Sequence, residues 1–259
     1  MLSMWSKTKQ LCNQLIRRII PLGQAGGHFL WPGRCLVCKA SVLPADEGLC
    51  QSCWQDLAGA VSADYCRRCG RDVSVYGIVQ GKCGHCQDLQ FEYDGVIRVG
   101  SYESTLRSMI LSLKFSEKTE WVAPLATMLR QAMTTARLPE QIDMLVPVPL
   151  HWRRRIKRGF NQSHLLAKKL KFPQIPVSTD LVRVRHTKQQ WDLNSAQRRR
   201  NVKGAFAARK GHPFTGKTVA LIDDITTSGA TLAECAKTLK QAGAQKVLSV
   251  VLATAYHDS

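Results

Sequence analysis

This sequence has no long apolar run. Its longest stretch without Lys, Arg, Asp or Glu, Ile19 to Gly33, is broken by two prolines and four glycines and is too short to cross a bilayer. A secretory pattern is also missing, because Arg17 and Arg18 interrupt the first apolar residues and no small-residue cleavage site follows. A cytoplasmic location is therefore expected. Aliphatic residues are sparse over residues 35–86, where cysteines and turn formers stand instead, so that stretch cannot build an ordinary core. Acidic residues are the other shortage, 19 against 37 Lys and Arg, for a net charge of +18. The remaining composition, 44% hydrophobic and 22% charged, excludes wholesale disorder.

The charge is concentrated. Residues 153–210 hold 17 basic and 2 acidic side chains, a net +15, while residues 1–90 carry +4 and the rest is close to balance. Such a field attracts phosphates, in a nucleotide or along a nucleic acid strand. Arg153, Arg154, Arg155 and Arg158 are candidate contacts to a nucleic acid backbone or to pyrophosphate, and Arg198 to Arg200 form a second run with no acidic residue beside it in the sequence. Trp152, Phe160, His164, Phe172 and Trp191 are interleaved with these cations. Some of them are candidate stacking surfaces and others core residues.

Three parts follow along the chain: residues 1–30, 31–90 and 91–259. Residues 2–20 read as an amphipathic helix, with Trp5, Leu11, Cys12, Leu15, Ile16 and Ile19 at helical spacing. Its basic face permits peripheral membrane contact, although docking onto the rest of the chain is the expectation. In the last part, a strand pattern over Tyr93 to Tyr102 precedes helical patterns over 104–114 and 119–137. Then come strands at Leu145–Val148 and Val219–Ile222, a helix over Thr231–Ala242, and a strand at Val247–Ala253. Strands alternating with helices predict an α/β domain with a largely parallel sheet.

Four Cys-x-x-Cys units stand at Cys35/Cys38, Cys50/Cys53, Cys66/Cys69 and Cys83/Cys86, separated by 11, 12 and 13 residues. Two thiolates three positions apart can face one ion from a tight turn, and two such turns complete a tetrahedral shell. Two structural zinc ions are expected. Disulfides are disfavoured by a reducing cytoplasm, and an iron–sulfur cluster suits the even spacing less well. Sequential pairing closes the smallest loops, and interleaved pairing remains open. His85 lies inside the last unit and is expected to be a bystander. Two four-thiolate zinc centres carry −2 each and cancel the +4 of residues 1–90, so this module is not expected to grip DNA by charge. Cys12 and Cys235 are left for core packing.

Gly211 to Thr218, GHPFTGKT, matches the P-loop pattern in letters only. A P-loop opens a helix, whereas Lys217 and Thr218 lead directly into a strand. The physical requirement is met a few residues later, in VALIDDITTSGAT from Val219 to Thr231. A buried strand ends on Asp223 and Asp224, and Thr227, Ser228, Gly229, Ala230 and Thr231 run into a helix. Gly229 permits a tight turn, and hydroxyls and free amides at a helix start can surround a phosphate monoester. The two carboxylates suit a sugar's vicinal hydroxyls and could help hold Mg²⁺.

At these residues the sequence resembles the type I phosphoribosyltransferases, whose signature for phosphoribosyl pyrophosphate (PRPP) is this acidic pair and hydroxyl-rich loop. With PVPLHWRRRIKRGFNQSHLLA from Pro147, TKQQWDL from Thr187, RRRNVKGAF from Arg198 and the cysteine array, it resembles the ComF family in particular. That resemblance implies a double zinc-ribbon module followed by a phosphoribosyltransferase-like parallel sheet with flanking helices. It implies that Asp223 and Asp224 contact the ribose, that Thr227 to Thr231 hold the 5′-phosphate, and that Mg²⁺ accompanies PRPP. The turn from Val148 to His151 would lie near the pyrophosphate, while Arg158, Asn161 and Gln162 belong to a family motif without an assigned chemical role. It also implies a part in natural transformation, handling incoming single-stranded DNA beside a helicase-like partner. The alternative is active transfer of a phosphoribosyl group to an unidentified acceptor. Thr227 stands where purine-base members carry an aspartate, which disfavours ordinary purine salvage.

Overall fold

The computed structural model describes residues 33–42, 49–61, 64–87, 90–115, 119–153, 156, 159–170, 172–187 and 194–255. The helix expected over residues 2–20, with Cys12, lies outside the described residues. Among the described residues no helix is long and apolar enough to cross a membrane.

A four-stranded parallel sheet organises the chain, in the order β5 (Gly95–Ser101), β10 (Lys246–Thr254), β9 (Thr218–Thr226), β6 (Met144–Pro147). The central strands β9 and β10 are almost wholly buried, as their near-continuous apolar runs require when both faces are covered. Alternation sorts their side chains between two cores. Ala220, Ile222, Leu248, Val250 and Leu252 join the core beneath α2 (Ser104–Phe115), α3 (Val122–Thr135) and α4 (Gln162–Lys169). Val219, Leu221, Val247 and Val251 face the opposite core with α6 (Ala230–Gln241) and the β7–β8 hairpin (Leu181–Arg183 and Phe206–Ala208). Cys235 is fully buried in that second core, the packing role expected of it. The arginine-rich α5 (Ser195–Val202) packs beside α6.

The cysteine-rich module folds as two small units. The first has the β1–β2 hairpin (Gly33–Arg34 with Ser41–Val42) and α1 (Gln51–Ala60); the second carries the β3–β4 hairpin (Ile78–Val79 with Lys82–Cys83). The stretch builds no ordinary core of its own; instead Cys35, Leu49, Cys53, Leu57 and Ala60 share the core of α2 and α3. Three apolar positions on one face of a ten-residue helix are too few for a core of their own but enough to extend an adjacent one. The contact is also polar. Asp56 on α1 accepts a hydrogen bond from the Thr105 backbone N–H at 2.6 Å, at the start of α2, so a carboxylate from the module caps a helix of the α/β domain. Hydrogen bonding from the Thr105 side chain first, and then from its backbone, holds the Asp56 carboxyl below its ordinary range against the pull of burial.

The second unit docks on the sheet edge. Val96 N–H donates to the Arg67 carbonyl at 2.7 Å, and Thr254 Oγ1 donates to the Gly70 carbonyl at 3.0 Å. Buried Arg98 reaches out of β5 to pair with Asp72. Where β5 passes the end of α1, Gly100 leaves no room: a Cβ there would overlap the Ala60 carbonyl, whose carbon would lie 2.9 Å away. Gly100→Ala is therefore expected to separate module and sheet, lowering stability by about 1–3 kcal/mol. Denaturant titration checks this, and a midpoint equal to wild type would refute the close approach.

Candidate functional site

The candidate phosphate loop, Thr227 to Thr231, sits at the carboxyl end of β9, where open parallel sheets place their ligands. β9 runs further than its apolar core alone suggested, to Thr226, because β10 continues to pair with it through Asp223, Ile225 and Thr226. On its other side, pairing with β6 stops at Pro147 opposite Ile222. Val148 N–H makes one last bond to the Ile222 carbonyl at 2.9 Å before the chain leaves. A crevice thus opens beside the acidic pair. Asp223, Ile225, Thr226, Thr227, Gly229, Ala230, Thr231 and Leu232 line the hollow beyond it.

Gly229 is the N-cap of α6 and adopts φ 71°, a left-handed conformation that favours glycine. A side chain there would also meet the Tyr93 hydroxyl at 3.0 Å. The loop thereby lies against a buried tyrosine. The P-loop mimic behaves as expected of a structural turn: Lys217 pairs with Asp143 at 3.3 Å and the chain enters β9 without a helix.

The two carboxylates have different environments. Asp224 is buried and pairs with Lys114, at the end of α2, at 3.1 Å. Asp223 accepts hydrogen bonds from Ser163 Oγ and from the Asp224 backbone N–H, both at 2.9 Å. Burial first, and then the adjacent Asp224 charge, push the Asp223 carboxyl up to about 7, against the pull of these donors. Ser163 is itself fixed by Asn161, which accepts from Ser163 N–H at 3.1 Å as the N-cap of α4 and donates to the Val148 carbonyl at 3.0 Å. The Asn161–Gln162–Ser163 motif thus links the turn after β6 to the carboxylate pair. Lys114 and Ser163 were not singled out from sequence. Ser163 had a signal in its neighbouring motif, whereas Lys114 lies 110 positions from Asp224 with nothing local to mark it. Carboxylate and hydroxyl oxygens of this kind fit a hard cation such as Mg²⁺.

The eight paired cysteines form two clusters, Cys35, Cys38, Cys50 and Cys53 in one, and Cys66, Cys69, Cys83 and Cys86 in the other. Pairing is sequential. Within each cluster the sulfurs lie within 4.8 Å of one another, with individual separations of 3.5 to 3.7 Å. Tetrahedral zinc with Zn–S bonds of ~2.3 Å sets its sulfurs ~3.8 Å apart, so the geometry fits structural zinc. Burial opposes ionisation of Cys35, but amide donors of Cys50, Cys38 and Val37 outweigh it and hold the thiol at about 6. Burial and the neighbouring sulfurs push Cys53 up to about 12. His85 is exposed and stands outside both clusters.

Of the basic candidates, Arg153 is described and exposed, while Arg154, Arg155 and Arg158 lie outside the described residues. Arg199, Arg200, Lys203, Arg209 and Lys210 are exposed on α5 and the β8 hairpin strand's flanks. Phe160 and Phe172 pack against the main core, Trp191 is outside the described residues, and Trp152 is open to solvent.

Comparison with known proteins agrees with this architecture. A double zinc ribbon domain matches residues 27–87, and a phosphoribosyl transferase domain matches residues 127–258. The chain is 33% identical over 220 residues to Competence protein F of Haemophilus influenzae, covering 83% of this chain and 93% of that one. The chain belongs to the ComF family. Other ComF relatives include DNA utilization protein YhgH of Salmonella typhimurium, 33% identical over 83% of this chain and 94% of its own length. Competence protein ComFC of Bacillus subtilis is 28% identical over 78% of this chain and 82% of its own. In ComF terms, the module with the two cysteine clusters is the double zinc ribbon, and strands β6, β9 and β10 with the β9–α6 loop lie in the phosphoribosyl transferase match, which begins after β5.

Proposed function

We propose that this ComF-family protein acts in DNA uptake, handling incoming single-stranded DNA in the cytoplasm beside a helicase-like partner while binding PRPP at the β9–α6 loop. The observation that carries the reading is a juxtaposition. The phosphate loop opens α6, and α5, with exposed Arg199 and Arg200, packs against that same helix. Phosphate recognition and a basic surface therefore share one side of the sheet. PRPP would place its 5′-phosphate among Thr227 to Thr231 and its ribose hydroxyls on Asp223 and Asp224. Mg²⁺, held with the help of these carboxylates, would supply charge neutralisation to the pyrophosphate. The names of the relatives, competence and DNA utilization, support the biological setting.

A second reading, transfer of the phosphoribosyl group to an acceptor, draws on the Asp223 carboxyl, whose range near 7 suits proton transfer at neutral pH. The test has two arms. Replacing Asp223 and Asp224 by alanine should weaken PRPP binding at least tenfold by calorimetry, ~1.4 kcal/mol or more. Single-stranded DNA should bind with a log–log salt slope near −3.5 if ~5 phosphates are neutralised. Arg199→Ala with Arg200→Ala should flatten that slope by about 1.4. Unchanged PRPP affinity would reduce the loop to a helix cap, and salt-independent or absent DNA binding would leave the transferase reading alone.

A further inference from the structure

We propose that His151, Trp152, Arg153 and His186 form a stacking platform for a nucleobase beside the phosphate loop. The inference rests on the nucleic-acid reading above and deepens it, by naming where a base would sit. Trp152 is 59% exposed, whereas Trp121 is 3% exposed and Trp54 packs against the main core. A large apolar ring left in water serves no packing role. The Arg153 guanidinium lies over it, 5.2 Å from the ring centroid. The His151 ring is 5.6 Å from Trp152 and 5.0 Å from the His186 ring, which it meets edge-on. His151 is buried and so backs the platform, while His186 is exposed at its rim.

Position supports the assignment. The platform begins four residues after Pro147, which pairs with Ile222, the residue before Asp223. Asn161 anchors the intervening turn through the Val148 carbonyl. An aromatic surface held open next to cations, at the head of a segment with net charge +15, fits a base better than an apolar partner. Every base offers a π-face to the indole, and the adjoining phosphate meets Arg153. The base could come from a DNA strand or be free in solution, and the chemistry is shared.

Binding of oligothymidylate and of an abasic strand of equal length to the full chain tests the platform. Wild type should prefer the base-bearing strand. Trp152→Ala should lose roughly five- to a hundred-fold in affinity for oligothymidylate, bind the abasic strand as wild type does, and keep the wild-type salt slope. Trp152→Phe should retain most of the preference. Equal behaviour of wild type and Trp152→Ala on both strands would overturn the proposal, as would an equal loss on both. If wild type binds neither strand, the DNA reading fails by itself, and free nucleobases then decide. Quenching of fluorescence in wild type that is missing from Trp152→Phe upholds the platform as a site for a free base, and no quenching overturns it.

Discussion

Chelating the metal is expected to unfold the zinc ribbons and to loosen the phosphoribosyl transferase domain with them. Elemental analysis of the native chain should first find two zinc ions, one for each cluster of four thiols. Structural zinc contributes on the order of 10–16 kcal/mol per site at neutral pH, as much as the whole stability of a typical domain, about 5–15 kcal/mol. Neither hairpin can persist without it, being only two residues per strand. The two sites should differ in reach. Cys53 sits on α1 beside Leu57 and Ala60, inside the core of α2 and α3, so Cys53→Ser should speed hydrogen exchange in β5 and α2. Cys83 belongs to a small separate cluster flanked by Val73 and Phe91, so Cys83→Ser should act mainly within residues 64–87. A chelated protein with native exchange in α2 would show that the shared core holds without its metal.

The parallel sheet and the strand–loop–helix from Val219 to Gln241 were legible in sequence because local patterns specify them. Val219–Ile222 and Val247–Ala253 are apolar runs that only a buried strand satisfies, and the observed β9 and β10 contain them. The eight cysteines were equally plain, since their spacing is set by ligand geometry. Less was legible where tertiary contact overrides local pattern. α5 reads SAQRRRNV, with no apolar period, and among its described side chains Val202 is the one buried in the second core. It is held at its start by a capping box in which Asn194 and Gln197 exchange hydrogen bonds, a signal present in the letters but obscured by the arginines. The pairing of Lys114 with Asp224 and of Ser163 with Asp223 depends on how helices cross the sheet, and no spacing in the chain encodes it. The same holds for Ala60 against Gly100, where a helix end and a strand 40 positions apart touch through backbone alone.

The acidic pair should make the protein less stable as pH rises, and Asp223→Asn should remove that loss. In the unfolded chain an aspartate ionises near pH ~3.9, whereas burial and the Asp224 charge raise folded Asp223 to about 7. Because the folded pKa is the higher one, the folded state binds more protons between these two values. Stability is therefore full below the unfolded pKa, falls as pH climbs through the interval, and levels off above about 7. The accumulated difference is roughly 1–4 kcal/mol, the upper figure applying if neither carboxylate relaxes. Asparagine mimics the protonated acid and can still accept from Ser163 through its amide oxygen. Asp223→Asn should match wild type near pH ~4 and exceed it near pH ~8 in denaturant midpoint, while losing affinity for PRPP. Equal midpoint differences at both pH values would mean that Asp223 ionises normally in the fold. Like charges held adjacent at a loss in stability are expected where a ligand or cation later supplies the compensation. On that account PRPP with Mg²⁺ should restore wild-type stability most at high pH, where the Asp223 carboxylate is charged, and should leave the asparagine variant almost unchanged.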